Sequence, residues 1–522
     1  MRQIKESKRN RGRAAGLVAA ILVTLAGAAV APAQSFRVLV NFDGSDGFGP
    51  VAGVVQGLDG SLFGATSVGG SNGSECLGLG CGIIFKVTPG GTLTTVYNFC
   101  SQTHCTDGNA PVAGVTLGTD GNFYGITESG GTNNNAELCP YTYLDGCGTV
   151  FKVTPTGALT TLYNFCSQTG CADGAAPYAS LVQATDGNFY GTTNIGGSGF
   201  DYVSCGAIGC GTAFKITPSG TLTTLHSFCS EGGSLCTDGA DPQSGLVEGR
   251  DGNLYGTMAH GGANDGGTVF KITPTGTLTT LYSFCAEEKC TDGEIPAASL
   301  IQAPDGNFYG TTFFGGDGDW GTIFKITPTG TLTTVYRFHC VNYSTCPEGA
   351  NPGAGLIRAT DGNFYGTTEI GGADRSGTVF EITPTGTLTT LHSFDLVDGY
   401  RPTAALVQAT SGVLYGTTNQ GGANQCSSDY PGCGTIFVQK VGLGPFVETL
   451  PASGEAGREV NILGTNLTGA TSVTFNGTPA VFKAGSSSFI TTTVPAGAAT
   501  GKVQVVTPGG TLTSNVPFRV LP

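Results

Sequence analysis

One stretch of this chain recurs and limits what the chain can fold into more than any other feature. Residues 359–394 read ATDGNFYGTTEIGGADRSGTVFEITPTGTLTTLHSF. Seven such units run along the sequence, with diglycines at 69–70, 130–131, 196–197, 261–262, 315–316, 371–372 and 421–422. Each unit offers four strand-like pieces, as in SLVQA (180–184), NFYGTT (188–193), GTVFKITP (267–274) and TLTTLYSF (277–284). An Asp-Gly pair between two β-rich runs is a tight hairpin signal. Pro-Thr-Gly makes the second tight turn, and two loops of variable length complete the unit. Four strands per unit, with diglycines 50 to 66 residues apart, is the size of a propeller blade.

The two ends of the repeat region complement each other. The seventh unit stops after GTIFVQKV (434–441) and lacks a fourth strand, while 35–42 (SFRVLVNF) reads as a fourth strand without the other three. A ring clasped by its own N-terminal strand is therefore expected, because an open stack would need caps rather than a completing strand. Closure would also remove exposed strand edges. The fold class expected is all-β: a seven-bladed β-propeller closed by the N-terminal strand, followed by an Ig-like β-sandwich. Apolar residues at helical spacing are missing, so almost no helix is expected.

A four-strand meander sorts its loops. The Asp-Gly and Pro-Thr-Gly turns must share one face of the disc. The variable loops share the other, where binding is usually grafted. All 18 cysteines fall in those variable loops as nine close pairs: Cys76/Cys81, Cys100/Cys105, Cys139/Cys147, Cys166/Cys171, Cys205/Cys210, Cys229/Cys236, Cys285/Cys290, Cys340/Cys346 and Cys426/Cys433. Both cysteines of a loop are present or both are absent, which is what local disulfides predict. Each such bond closes a short loop and contributes roughly 2 kcal/mol in the chain-entropy model. The role expected of all nine is to pin floppy loops and no more.

Residues 1–33 read as a signal peptide. Six basic residues are followed by an apolar run at 14–30 and an Ala-Pro-Ala cleavage site at 31–33. Removing them makes the mature chain five charges more negative than the formal −14 of the whole. So acidic a surface argues against nucleic acid and anionic membranes as partners. Export also suits disulfides better than metal-binding thiolates. The expected location is secreted, extracellular or at the cell surface, with no membrane span after cleavage.

The strings DGNFYGTT and GTVFKITPTGTLTTLYSF, the diglycine and the DGxxP segment resemble the GloVer tandem repeat of secreted bacterial proteins, the "choice-of-anchor" group whose C-terminal anchors differ. The resemblance spans 35 to about 441 and implies export, but it brings no catalytic residues. A weaker kelch likeness rests on the diglycine alone. After a linker at 442–444, residues 445–522 resemble an IPT/TIG domain in PASGEAG (451–457), VNILGTN (460–466), VTFNG (473–477) and VPAGAATG (494–501). The propeller is thus expected at 34–441. Alternating short strands with regular turns support a sandwich independently. No apolar tail or basic stop precedes Leu521-Pro522, so no C-terminal anchor is expected.

Three groups of residues are candidate sites. Asp46, Asp107, Asp173, Asp238, Asp292, Glu348 and Asp398 each precede a glycine and lie four residues before a proline. On the usual propeller plan they would ring the channel mouth, where carboxylates with backbone carbonyls could hold calcium. The alternative is that each caps its own turn. Asp317, Asp319 and Trp320, in the short loop of the fifth unit, combine the only tryptophan with two acids. That chemistry suits a sugar ring, while packing between blades is the plainer role. Lys86, Lys152, Lys215, Lys271 and Lys325 recur in the third strand and read as structural ion pairs. GGSNG (69–73) matches GxSxG, but no helix follows it.

These features lead to a non-enzymatic extracellular binding or structural protein recognising glycan, or a surface protein, through the variable face. The rivals are a secreted carbohydrate-active enzyme (hydrolase or lyase) and a calcium-dependent adhesin.

Overall fold

Within each unit the apolar alternation produces strands of five or six residues, and the glycines turn the chain between them. The computed structural model describes residues 34–522 except 73–75, 77, 134–138, 140–145, 200–204, 206–208, 231–235, 343–344 and 427–430. The signal peptide expected at 1–33 lies outside the described residues. Helix among the described residues is limited to three-residue 3-10 turns, such as Thr103–Cys105 and Thr169–Cys171.

The repeats build seven antiparallel sheets. In the sixth, Ile357–Arg358 pairs with Phe364–Thr368, which pairs with Thr378–Ile382, which pairs with Leu388–Ser393. A bulge falls between Val379 and Phe380. The first five sheets carry the same bulge, as at Ile84/Phe85 and Ile323/Phe324. In the seventh sheet the fourth position is taken by Ser35–Asn41, paired antiparallel to Thr435–Lys440 from Ser35↔Lys440 to Asn41↔Thr435. A register shift at Val38/Val40 repeats the bulge.

The repeated residues each have a local task. Asp120 of the first tight turn accepts hydrogen bonds from the Asn122 amide and side chain, from the Tyr124 hydroxyl at 2.9 Å and from Lys152 at 2.8 Å. The DGN-x-Y string and the third-strand lysine are thus one network. Lys86 makes the matching pair with Asp59 at 2.5 Å. The glycine after that tyrosine makes room for the third-strand phenylalanine: a Cβ on Gly366 would lie 2.7 Å from Phe380 Cζ.

Neighbouring sheets are joined by side chains of the same register. Gln183, Gln302 and Gln408 accept from the backbone amides of Thr119, Arg250 and Thr360, each in the preceding sheet. Gln56 of the first sheet does the same to Thr410 of the seventh, at 2.8 Å. One buried core holds Phe42, Phe85, Val87, Cys433, Ile436 and Val438, from both ends of the repeat region.

Beyond residue 445 the chain forms a sandwich of two four-stranded sheets, with a short parallel pair of Ser453–Gly454 and Arg519–Val520, around Val460, Ile462, Val473, Phe475, Ile490, Val503, Val505 and Phe518. It rests on the tight-turn face. Ser488 Oγ donates to Leu58 O at 2.6 Å, Asn461 Nδ2 to Thr119 O at 3.2 Å, and the Phe446 amide to Thr410 O at 2.9 Å. The Arg519 guanidinium donates to Arg250 O.

Candidate functional site

The segment leading from a variable loop into the first strand of a sheet reads acid-Gly-x-x-Pro. Its acid is committed locally. Asp107 is fully buried and accepts from the Tyr97 hydroxyl at 2.8 Å, the Ser101 amide and hydroxyl at 3.0 Å, and the Gln102 amide at 3.3 Å. Asp173 repeats this with Tyr163, Ser167 and Gln168. Asp292 accepts from Tyr282, Ala286 and Glu287. His226 and His392 stand at the tyrosine position and meet Asp238 at 2.9 Å and Asp398 at 2.8 Å. Tyr336 donates to Glu348. In the seventh sheet Val40 replaces the tyrosine, and Asp46 accepts from the Asp43 amide at 2.8 Å.

The expected placement of these acids around the channel mouth is corrected here. The six other than Asp46 each sit beside the fourth strand of the preceding sheet, and none of the seven lines the central cavity. The reason is the fourth-strand tyrosine or histidine, which reaches the carboxylate and draws it outward. The hydrogen bonds to Asp107 also occupy lone pairs that a cation would need.

In the fifth unit, Asp319 accepts from the Gly315 amide at 2.7 Å and closes its own loop. Trp320 is half-buried and packs against the cluster of Cys340, Cys346 and Ala350. Asp317 is exposed.

The nine cysteine pairs are bonded as expected: Cys76–Cys81, Cys100–Cys105, Cys139–Cys147, Cys166–Cys171, Cys205–Cys210, Cys229–Cys236, Cys285–Cys290, Cys340–Cys346 and Cys426–Cys433. The two disulfides of the first unit pack together, with Cys76 Sγ and Cys100 Sγ 3.8 Å apart. The expectation that these bonds only pin loops is corrected at Cys433. That residue is fully buried in the core where the chain ends meet, together with Phe42, Phe48 and Ile436. Its carbonyl also accepts from the Gly49 amide at 3.1 Å. The physical reason is its place two residues before strand Thr435–Lys440, so the last residues of the loop already belong to the sheet interior. Cys81, Cys147 and Cys210, at the equivalent position, are buried in the same way. Each of these four bonds therefore ties a variable loop to the body of the fold.

A cavity of about 420 Å³ opens between the proline segments, and all seven units line it. Its wall is made of small residues in one register: Ala52, Ala113, Ala179, Ser244, Ala298, Ala354 and Ala404. The next residue is also small because adjacent segments nearly touch. A Cβ on Gly53 would lie 2.6 Å from Ala405 O, and one on Gly355 would lie 2.9 Å from Ser299 O.

The rim of the same cavity differs from unit to unit. The residue after the proline is Tyr178 in the third unit, Gln243 in the fourth and Thr403 in the seventh. The residue just after the second strand is Phe313 in the fifth, Glu369 in the sixth and Asn419 in the seventh. The residue before the proline takes a left-handed conformation in every unit, including Asp241 (φ 59°) and Arg401 (φ 55°). That backbone is held from both sides. The Arg401 amide donates to Ser376 O of the preceding sheet, and its carbonyl accepts from the Asn419 amide. The side chains there meet the end of a second strand: Arg401 pairs with Glu369 at 2.9 Å, and Asp241 lies 3.7 Å from His260.

The rim is electrostatically unusual. Tyr178 is 39% exposed, yet protein surrounds it on most sides. Its hydroxyl pKa is pushed up by burial, and further by the Glu128 and Asp241 carboxylates. Burial raises Glu128. It also raises Asp241 and Glu369, against the opposing effects of Gln243 and His260 on the first and Arg401 on the second. Aromatic rings, amides, hydroxyls and the Glu369 carboxyl thus converge on one concave site, with Glu128 and Asp241 close enough to raise Tyr178 at its edge, the usual make-up of a small-ligand site. Reading the sequence by motif misses these residues. The available signal was variation itself: they stand at two or three repeat positions that change while their neighbours stay constant.

Serial four-stranded antiparallel sheets sharing one cavity define an all-β repeat protein of propeller-like architecture. Residues 28–234, 142–303, 202–437 and 285–479 match the model of the Gloeobacter/Verrucomicrobia repeat, and the chain belongs to that family. Residues 446–520 match the IPT/TIG domain. No curated protein matches the chain. Solved structures similar to it include a streptogramin B lyase, at 14% identity and TM-score 0.45 over 78% of this chain and 97% of that one. A catalytically inactive virginiamycin B lyase from Staphylococcus aureus with quinupristin matches at 14% identity and TM-score 0.46, over 78% and 99%. The extracellular domain of a hybrid two-component system from B. thetaiotaomicron matches at 12% identity and TM-score 0.47, over 94% and 59%.

Proposed function

We propose that this chain is a secreted or surface-exposed binding protein that recognises glycan in the cavity on its variable-loop face. In this reading residues 34–441 form a seven-bladed propeller clasped by strand Ser35–Asn41, and 445–522 form an Ig-like module beside it. One observation carries the proposal. Seven units give small residues to the cavity wall, while the third to the seventh add an aromatic ring, amide, hydroxyl or carboxyl at its rim. A purely structural channel has no use for that asymmetry. An aromatic face such as Tyr178 or Phe313 stacks on the apolar side of a sugar ring, while Gln243, Thr403 and Asn419 suit its hydroxyls. Nine disulfides and repeats of the extracellular type support an exported location. No helix among the described residues is long and apolar enough to cross a membrane.

A glycan array probed with the full mature chain and with Tyr178→Ala tests this. Binding by the first and its loss in the second, at unchanged melting temperature, is expected. No binding to any glycan overturns the reading. A second reading, a secreted carbohydrate-active enzyme, is favoured by the carboxyls of Glu128, Asp241 and Glu369, whose pKa values burial raises, because acid–base chemistry uses carboxyls in such surroundings. Release of reducing sugar from polysaccharides, lost in Glu128→Gln, would favour it.

A further inference from the structure

We infer that the cavity is a blind pit, floored by the C-terminal sandwich, and that it takes the free end of a glycan chain rather than an interior segment. The inference rests on the proposed glycan reading and on the seven-sheet ring. A propeller channel ordinarily has two mouths, and a polymer can thread one that is open at both. Here the sandwich is seated on the tight-turn face at widely separated points.

Ser488 bonds to Leu58 in the first sheet and Asn461 to Thr119 in the second. Phe446 and Thr465 bond to Thr410 in the seventh. Arg519 bonds to Arg250 in the fourth, on the far side of the ring from the first. A rigid body touching sheets on opposite sides of a ring must cross its axis. The sandwich therefore stands over the lower mouth, and its own continuous core keeps it from parting there.

The segments around the cavity also pack side by side. Backbones of adjacent proline segments approach so closely that Gly53 could not carry a Cβ, which would lie 2.6 Å from Ala405 O. A chain lying across the variable face could touch the rim, but to enter a cavity closed below it would have to bend in and out again. A terminal sugar can descend onto the wall formed by Ala179, Ser244 and Ala298 and bring its ring against Tyr178 or Phe313. The aromatic residues sit at the rim, where a terminal sugar and the one behind it would pass.

The test is a set of oligosaccharides, each printed in three forms: tethered by the reducing end, tethered by the non-reducing end, and tethered by both. The full mature chain is the probe. Binding to one singly tethered form about tenfold or more above the doubly tethered form is expected, because only a free end can enter. Equal binding to the doubly tethered form overturns the blind pit and leaves glycan recognition standing. Absence of binding to all three forms overturns glycan recognition, and the pit's ligand with it. Tyr178→Ala, folded by its melting curve, should lose the end-selective signal. If it retains that signal, the ends are read elsewhere and the inference fails.

Discussion

The rings of Phe42 and Phe85 meet with centroids 5.4 Å apart and planes inclined at 64°. Phe42 follows the N-terminal strand, which lies in the seventh sheet, and Phe85 belongs to the first. The same fourth-to-third-strand contact joins Phe99 to Phe151, Phe165 to Phe214, Phe228 to Phe270, Phe284 to Phe324, Phe338 to Phe380 and Phe394 to Phe437, at 5.1 to 5.7 Å. The pair at the chain ends is thus one of a set of like contacts between sheets.

Removing that contact should cost as much as a core deletion. Phe42 is fully buried, and Phe42→Ala is expected to destabilise by about 3–5 kcal/mol. A double-mutant cycle with Phe85→Ala, read from denaturant midpoints, should give a coupling of about 0.5–1.5 kcal/mol. Strict additivity would mean that the two ends do not lean on each other.

Gly366 has ordinary backbone angles, so its need for glycine is steric. With a Cβ placed 2.7 Å from Phe380 Cζ, Gly366→Ala should destabilise by about 1–3 kcal/mol. Combining it with Phe380→Leu should recover part of that loss, and a thermal melt of the three variants decides it.

The tight-turn network titrates. Burial pushes Asp120 up, but Lys152, Asn122 and Tyr124 outweigh it and hold the carboxyl at about 2, below the 3.8 of a free group. A depressed carboxyl stabilises the fold above its unfolded pKa, and that contribution fades as pH falls through its folded value. Asp120→Asn should therefore melt lower than the parent at pH 7, and the gap should close between about pH 4 and pH 2. Partial exposure of the pair makes the gap small and salt-sensitive.

Glu128 has the opposite sign. Burial raises its pKa, so stability is present below the unfolded pKa and is lost as pH rises through the folded one. Glu128→Gln should raise the melting temperature at pH 7, with no gain below about pH 4. A residue kept at a cost in stability is expected where function rather than packing keeps it, and Glu128 lies close enough to raise the rim's Tyr178. A lower melting temperature at pH 7 would remove this support.

Calcium should have little to act on at the acid-Gly-x-x-Pro segments. With Asp107 and Asp173 each accepting four hydrogen bonds, millimolar calcium is expected to leave the melting temperature unchanged, and EDTA likewise. A clear upward shift would revive the calcium-dependent adhesin.

Local physics was legible from the chain alone, and the reasons can be named. The Asp-Gly turns, the four strands per unit and the short-range cysteine pairs depend on residues within about ten positions of one another. Repetition then multiplied the evidence. The acids were misplaced because their direction depends on the Tyr97 and Tyr163 side chains reaching back across a loop to them, an orientation that spacing does not record. The packing of Trp320 against Cys340 and Cys346 could not be read from the chain alone, because it spans a loop boundary. The pairing of Cys433 with Cys426 could be read from spacing, but not its burial, which depends on Phe42 and Phe48 at the other end of the repeat region.

By itself the sequence determined the unit: its strands, its turns, which face carries the variable loops, and that a lone first strand must find an incomplete last sheet. Only tertiary structure decided what the units make together. The cavity rim draws single residues from different units, and its raised carboxyls arise from burial that no one unit supplies. The seating of the sandwich across the tight-turn face joins residues as distant as Ser488 and Leu58. Such contacts follow from the shape of two packed surfaces, and linear spacing carries no record of them.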